Sequence, residues 1–384
     1  MKELLLKIAS ALYGVGVKLR HILFDINILR SEKFDIPIIC VGNITVGGTG
    51  KTPHTEMLLR TLLSDETWGQ KNLAVLSRGY KRKTRGFQQV TLTGTAKEFG
   101  DEPLQIKKKF PSITVAVDRS RAEGCRFLAD PQKLHTSKKA KRCINKDMPK
   151  ADLIILDDAF QHRYVKPGLN ILLTEYHRLI TEDQLLPAGR LREKASGRYR
   201  ANTVIVTKCP RTMTPIEFRV IEKKLSLMPF QSLFFSTYDY GNLKGLFKDE
   251  EKSLNQLKHT NVLLLTGIGN PKQMESDLKS HVLSVKSLPF PDHHFFSPED
   301  IADIYRAFTQ MPQPRLIITT EKDATRLQIR PDLLHEIKEQ IYVLPVEVQI
   351  MRNATSKFNE KLFRYVHKNP KHRSLAQRKN HLKA

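Results

Sequence analysis

An apolar run from Pro37 to Val41 breaks into Gly42-Asn43-Ile44-Thr45-Val46-Gly47-Gly48-Thr49-Gly50-Lys51-Thr52-Pro53, and a helical pattern continues to Leu63. A buried strand, a glycine-rich loop and a helix, in that order, form the setting in which a Walker A loop works. Glycines let successive backbone N–H groups turn inward around phosphate oxygens. The new helix N-terminus adds partial positive charge. Lys51 can reach β- and γ-phosphates, and the Thr52 hydroxyl can ligate Mg²⁺. Pro53 is tolerated because the first helical turn needs no N–H from it. The strict pattern opens with glycine where this chain has Thr45, but Gly47, Gly48 and Gly50 still supply the turn. The expected ligand is ATP with Mg²⁺, held by Thr45, Val46, Gly47, Gly48, Thr49, Gly50, Lys51 and Thr52. The bland alternative is a glycine-rich βα turn carrying an incidental lysine.

Short apolar runs alternate with helical patterns beyond this loop. Leu73–Ser77, Ile113–Val117, Leu153–Leu156, Ile171–Thr174 and Thr203–Thr207 read as strands buried on both faces, with helices such as Glu102–Lys109 between them. A second set of strands, Val262–Thr266, Val282–Val285, Leu316–Thr320 and Tyr342–Val346, alternates with helices at Lys272–Lys279 and Pro298–Thr309. The fold class expected is α/β: a P-loop NTPase-type parallel sheet domain with a second, smaller α/β domain. The boundaries read from the sequence are 1–30 for an N-terminal helix, 31–235, 236–350, and 351–384 for a basic C-terminal segment. Tyr238–His259 reads as a connection, Lys138–Lys150 as a solvated basic loop, and the last twenty residues as a flexible basic tail.

At 384 residues the chain is long enough for two or three domains, and its formal net charge of +24 points to anionic partners or to a basic proteome. Aromatic residues make up 8% and no helix-turn-helix, RNP or zinc-finger pattern occurs, so a specific nucleic-acid role is not expected. The four cysteines, Cys40, Cys125, Cys143 and Cys209, show no CxxC or metal-ligand spacing, which suits a reducing cytoplasm. Residues 1–29 are apolar but interrupted by Lys7, Lys18 and Arg20, well short of the roughly 20 apolar residues that a spanning helix needs. They read as a helix packed on its own domain or lying at an interface.

A P-loop enzyme needs an acid at the end of a neighbouring strand. Leu153-Ile154-Ile155-Leu156-Asp157-Asp158 supplies a carboxylate pair there, with helix capping as the alternative role. Ala159-Phe160-Gln161-His162-Arg163 follows it. Arg78, in Ser77-Arg78-Gly79-Tyr80, could contact phosphate, as could Arg119 and Arg121 after another strand; solvated turns are the alternative for each. Gly100-Asp101-Glu102-Pro103 opens a helix. Pro289-Phe290-Pro291-Asp292-His293-His294-Phe295 groups a carboxylate with two imidazoles, too few ligands for a zinc site. Phosphoryl transfer to a hydroxyl asks for a base, and Asp101 and His293 are the candidates, one from each domain, across an interdomain cleft.

Taken in order, these segments resemble the tetraacyldisaccharide 4'-kinases, the lipid A 4'-kinases of Gram-negative bacteria. The series that carries the resemblance also includes Leu186 to Glu193, Thr207-Lys208, Thr266-Gly267-Ile268-Gly269-Asn270-Pro271 and Thr320-Glu321-Lys322-Asp323, and it spans about Pro37 to Leu327. The resemblance implies transfer of the ATP γ-phosphate to the 4'-hydroxyl of a tetraacylated glucosamine disaccharide 1-phosphate. It implies an Asp101–His293 pair that activates the hydroxyl, with Lys51 at the phosphates. Thr52, Asp157, Asp158 and Glu193 would handle metal, and Arg78, Arg119, Arg121 and His162 the substrate. Two departures stand out: Ala159 replaces the usual glycine after the Asp pair, and Gly189-Arg190-Leu191-Arg192-Glu193 replaces Gly-Pro-Leu-Arg-Glu.

A four-chain lipid must be drawn from a bilayer. The resemblance therefore turns residues 1–29 into an expected interfacial anchor on the cytoplasmic face of the inner membrane, where each basic residue contributes about 1 kcal/mol toward anionic lipid. Peripheral attachment and a monomer are expected. The rival is a nucleotide-switched ATPase or GTPase acting in protein or metal-centre maturation. Thr207-Lys208-Cys209-Pro210 occupies the place of a guanine-reading motif but lacks its flanking Asn and Asp.

Overall fold

The computed structural model describes residues 1–267, 271–291, 294–330 and 332–367. Helix α1 (Lys2–Asp25) precedes β1 (Ile38–Gly42), α2 (Lys51–Leu63), β2 (Leu73–Ser77), β3 (Gln88–Gln89), α3 (Asp101–Lys109), β4 (Thr114–Val117) and α4 (Arg121–Ala129). Then come β5 (Leu153–Asp157), β6 (Leu169–Glu175), β7 (Thr203–Thr207), α5 (Pro215–Leu225) and β8 (Ser232–Tyr240). The smaller domain holds β9 (Leu243–Gly245), β10 (Glu251–Lys252), β11 (Asn261–Thr266), α6 (Lys272–Lys279), β12 (Ser284–Pro289), α7 (Pro298–Thr309), β13 (Arg315–Thr320), α8 (Glu321–Leu327) and β14 (Ile341–Leu344). β15 (Val346–Ile350) and α9 (Thr355–His367) close the described chain.

Among the described residues the larger sheet runs β15-β8-β7-β6-β1-β5-β2-β4-β3, parallel except for β15 and β3 at its two edges. Its central strands β1, β2 and β5 are buried at every position because helices cover both faces. Ile38 and Cys40 of β1 face a layer containing Phe127 and Leu128 of α4 and Phe218 and Ile221 of α5. Ile39 and Val41 face the opposite layer, with Leu58, Leu59 and Leu62 of α2 and Phe358, Leu362 and Val366 of α9. The smaller sheet runs β10-β9-β14-β13-β11-β12, with β12, β11, β13 and β14 parallel.

The sequence boundaries at 235 and 350 cut across this architecture. β8 is one continuous strand through Tyr240, paired in parallel with β7 and antiparallel with β15. The smaller domain is thus an insertion between two strands of the larger sheet. The segment after 350 returns as well: the Tyr365 hydroxyl accepts from the Ile38 amide at 2.9 Å and donates to its carbonyl at 3.0 Å. Lys138–Lys150 is not simply a solvated loop, since Ala140 and Cys143 are buried in the core. The basic tail from residue 368 onward lies outside the described residues.

Candidate active site

The parallel pairing of β1 with β5 sets Val41 opposite Asp157, so the loop after β1 and the two acids emerge side by side at the carboxyl edge of the sheet. Ligands bind in that position in open α/β sheets. Gly50 caps α2 with a φ of 83° and Gly47 has a φ of 118°, conformations that favour glycine. At Gly50 a Cβ would also lie 2.5 Å from the Tyr238 hydroxyl. The loop is braced from inside and outside. The buried Asn43 amide donates to Thr49 Oγ1 at 2.7 Å, while the Arg190 carbonyl accepts from the Val46 amide at 2.8 Å. Thr45 Oγ1 donates to the same carbonyl at 3.3 Å, and its backbone bridges to Leu191.

Lys51 Nζ lies 3.8 Å from Asp158 Oδ2, and Arg192 approaches the same oxygen at 3.7 Å. Asp157 is buried behind them and accepts from Thr55 Oγ1 at 3.3 Å. Burial, and then the neighbouring Asp158 charge, push its carboxyl up to about 7, against the pull of Lys51. A buried acid in that condition gains from a cation. Among the described residues no group of three or more His, Cys, Asp or Glu side chains forms a metal cage. Asp157 and Asp158 line the same cleft as Thr52, a donor set that suits Mg²⁺, which is held by one or two carboxylates with substrate phosphates and water completing its shell.

A cleft of about 690 Å³ runs from this point between the two domains. Val46, Gly47, Gly48, Gly50, Lys51, Thr52, Asp157, Asp158 and Arg192 line one part. Glu102 and Gln105 of α3, with Thr320, Glu321 and Lys322 of the smaller domain, line another. Pro53, Lys208, Tyr238, Tyr240, Met274 and Val346 form the end beyond the loop. The aromatic pair on β8 escaped the sequence reading. Its only signal is the alternation Tyr238-Asp239-Tyr240, which puts both rings on one face of a strand. His54, one turn into α2, is buried with Nδ1 2.7 Å from the Gly50 carbonyl and Nε2 2.9 Å from Ser236 Oγ. Burial lowers its imidazole to about 4, so it stands neutral under the loop.

The remaining sequence candidates are not gathered in one place. Arg78 lines the main cleft and also a second cavity of about 750 Å³, shared with Arg119, Tyr80, Lys81, Arg82 and Arg85. Arg121 takes a different post. It is buried, donates to the carbonyls of Asp157 and Asp158 at 3.3 Å each and to that of Asp118 at 3.2 Å, and so holds the acid-bearing turn from behind. Glu193 also departs from the expected metal set. It is buried, 3.0 Å from His21 Nε2 of α1 and 2.8 Å from Arg200, and it lies off the cleft lining. Burial raises its carboxyl, but His21 and Arg200 outweigh burial and hold it below its ordinary value. His162 follows the acid-bearing turn, its amide donating to the Ala159 carbonyl at 2.8 Å, and burial, with Arg121 nearby, lowers its imidazole to about 4. Asp101 is buried at the start of α3 and paired with Arg326 of α8 in the smaller domain. Asp292 and His293 lie outside the described residues, as do Ile268, Gly269 and Asn270. The other imidazole of that cluster, His294, pairs with Asp300 at 2.7 Å.

The family model described as "Tetraacyldisaccharide-1-P 4'-kinase" matches residues 2–366. The chain belongs to this kinase family. A tetraacyldisaccharide 4'-kinase of Bacteroides fragilis strain YCH46 is 49% identical over 378 residues, covering 97% of this chain and 95% of its own length. That of Bacteroides thetaiotaomicron is 46% identical over 381 residues, with 97% and 95% covered. Among solved structures, the "apo" form of LpxK from Aquifex aeolicus in complex with ATP superposes with a TM-score of 0.68 at 28% identity, covering 95% of this chain and all of that one. The family's activity, ATP-dependent phosphorylation at the 4' position of a tetraacyldisaccharide in lipid A biosynthesis, is the function of the chain. The whole-length match decides for this kinase over the nucleotide switch.

Proposed function

We propose that ATP lies along the interdomain cleft, with its triphosphate on the 45–52 loop and its base toward Tyr238, Tyr240 and Met274. The observation that carries this reading is the meeting of Lys51, where the loop after β1 enters α2, with Asp158, just past the end of the neighbouring parallel strand β5. In it, the amides of residues 47–50 and Lys51 neutralise the β- and γ-phosphates. Thr52, Asp157 and Asp158 hold Mg²⁺, which supplies charge neutralisation to the phosphates when bound. The 4'-hydroxyl of the lipid enters from the side of α3, where Asp101 acts in accepting its proton; His293, the expected partner in that step, lies outside the described residues. Arg78 and Arg119 receive the anionic end of the substrate in the second cavity.

The lipid is presented at a membrane surface. Helix α1 exposes Leu4, Leu5, Ile8, Leu12, Val15 and Leu19, between 51% and 70% accessible, along one face. Its other face is anchored to the enzyme: Ser10 Oγ donates to the Leu185 carbonyl at 2.9 Å and Tyr13 Oη to the Arg192 carbonyl at 2.8 Å. Among the described residues no helix is long and apolar enough to cross a membrane. An exposed apolar stripe on a strongly basic protein supports peripheral attachment to the anionic cytoplasmic leaflet. Both walls of the cleft come from one chain, which supports action as a monomer.

The test is transfer of label from γ-labelled ATP, with Mg²⁺, to tetraacyldisaccharide 1-phosphate. Wild type labels the lipid; Lys51→Ala falls by about 10²–10³-fold, the cost of removing one preorganised electrostatic contact from a transition state. A fully active Lys51→Ala variant would remove the nucleotide-site assignment.

A further inference from the structure

The two domains meet along helices α3 and α8. Three ion or polar pairs on this seam are partly open to water: Lys109–Glu321 at 2.6 Å, Lys322–Glu102 at 3.1 Å and Lys108–Gln328 at 3.0 Å. The fourth is of another kind. Arg326, 1% exposed, donates through Nε to Asp101 Oδ1 at 3.1 Å and through Nη2 to Asp101 Oδ2. The same guanidinium is fixed within its own domain, with Nη1 3.2 Å from the His294 carbonyl and 3.3 Å from Asp323 Oδ1. Asp323 is in turn held by the Gly267 amide at 2.8 Å and the Thr320 hydroxyl at 2.7 Å. The fork is therefore built before it reaches across, and it reaches only when the smaller domain is seated.

We infer that Arg326 is a positioning residue for phosphoryl transfer, delivering the seating of the smaller domain to the Asp101 carboxylate. A two-point guanidinium contact fixes the plane of a carboxylate, and with it the direction of the lone pairs left over for another partner. A lysine in the same place is a point charge and fixes no plane. A loosely oriented carboxylate beside a reacting hydroxyl loses rate steeply, about 10²-fold for a misplacement of roughly 1 Å. In the proposed pose the ATP phosphates rest on the 45–52 loop of the larger domain, away from the Arg326–Asp101 contact, so a misaligned Asp101 leaves their binding in place. The inference rests on the reading that Asp101 borders the transfer site.

The experiment is steady-state kinetics on the full chain with Mg²⁺–ATP and the lipid acceptor, comparing Arg326→Ala, Arg326→Lys, Asp101→Asn and Lys108→Ala. Arg326→Ala is expected to lose about 10²-fold in kcat with KM for ATP near wild type, and to recover activity when guanidinium ion is added at concentrations that leave wild type unchanged. Arg326→Lys keeps a cation on the seam and serves if the alanine variant fails to fold; it too is expected to fall in kcat without a rise in KM for ATP. Lys108→Ala, on the same seam but off the cleft, should behave as wild type. Wild-type kcat in Arg326→Lys, or loss in Arg326→Ala that guanidinium does not restore in a folded protein, overturns the inference. Full activity in Asp101→Asn overturns the underlying reading of the site instead.

Discussion

Lys51 and Asp158 face each other at 3.8 Å across the gap between the phosphate loop and the end of β5, and Asp158 holds that position with a φ of 49°. A left-handed backbone costs a residue with a side chain roughly 1–2 kcal/mol. The strain sits on one of the two acids that the proposed metal site needs, which is where proteins retain such conformations.

Glycine relieves that strain and alanine keeps it. Asp158→Gly is therefore expected to be more stable than Asp158→Ala by about 1 kcal/mol, while both variants lose lipid phosphorylation. Denaturant midpoints of the two variants measure the difference, and coincident midpoints would show that the turn is not strained.

His54 gives a pH signature. Its imidazole is lowered to about 4 in the folded protein, against an ordinary value near 6.5. Between those values the unfolded chain binds a proton that the folded protein does not, so stability falls as pH drops through the window and is fully present above it. The loss amounts to on the order of 3 kcal/mol by pH 4. Subtracting the pH profile of His54→Gln from that of wild type isolates this contribution from other groups that titrate nearby; parallel profiles would contradict it.

Glu56, on the helix that follows the phosphate loop, is buried and pairs with Lys109 of α3 at 2.7 Å. Gln105 also donates to it at 2.9 Å. Burial raises its carboxyl, and Lys109 opposes that rise. Removing Lys109 leaves the buried charge only the Gln105 amide and Arg60, 3.9 Å away, so Lys109→Met should cost about 3 kcal/mol. Adding Glu56→Gln should recover most of the loss. Additive effects in the double variant, measured by urea unfolding, would show that the two groups do not act as a pair.

The exposed face of α1 predicts a membrane phenotype separate from folding. Leu12→Glu combined with Leu19→Glu should reduce flotation with anionic liposomes while leaving the melting temperature near wild type, since both side chains are more than half accessible. Wild-type flotation should weaken as salt is raised. Undiminished flotation of the double variant would exclude this face as the contact.

Sequence reading succeeded where signals were local. The runs ending at Val41 and Leu156 are apolar at every position because both faces of those strands are covered, so strand and turn could be read from consecutive residues. It faltered where tertiary contacts decide. Ser232–Tyr240 mixes polar and aromatic residues, and its outer partner, β15, lies about a hundred residues downstream, past the whole smaller domain. The Phe358, Leu362 and Val366 stripe was legible as an amphipathic helix, but the basic residues around it drew attention to charge instead. An arginine after a strand reads the same whether it is open, as Arg119 is, or buried beneath the acids, as Arg121 is. Arg326 stands 225 residues from Asp101, and nothing near it announces the pairing.

The smaller domain leaves the large sheet after Tyr240 and rejoins it at Val346, residues that are direct partners in the β8–β15 ladder. Two adjacent tethers confine it to a swing about one line rather than free tumbling on a single linker. Even when the seam is parted, the guanidinium stays at high effective concentration near its carboxylate. A parted seam would close again by an intramolecular return over a short arc, at a rate independent of how much enzyme the cell contains.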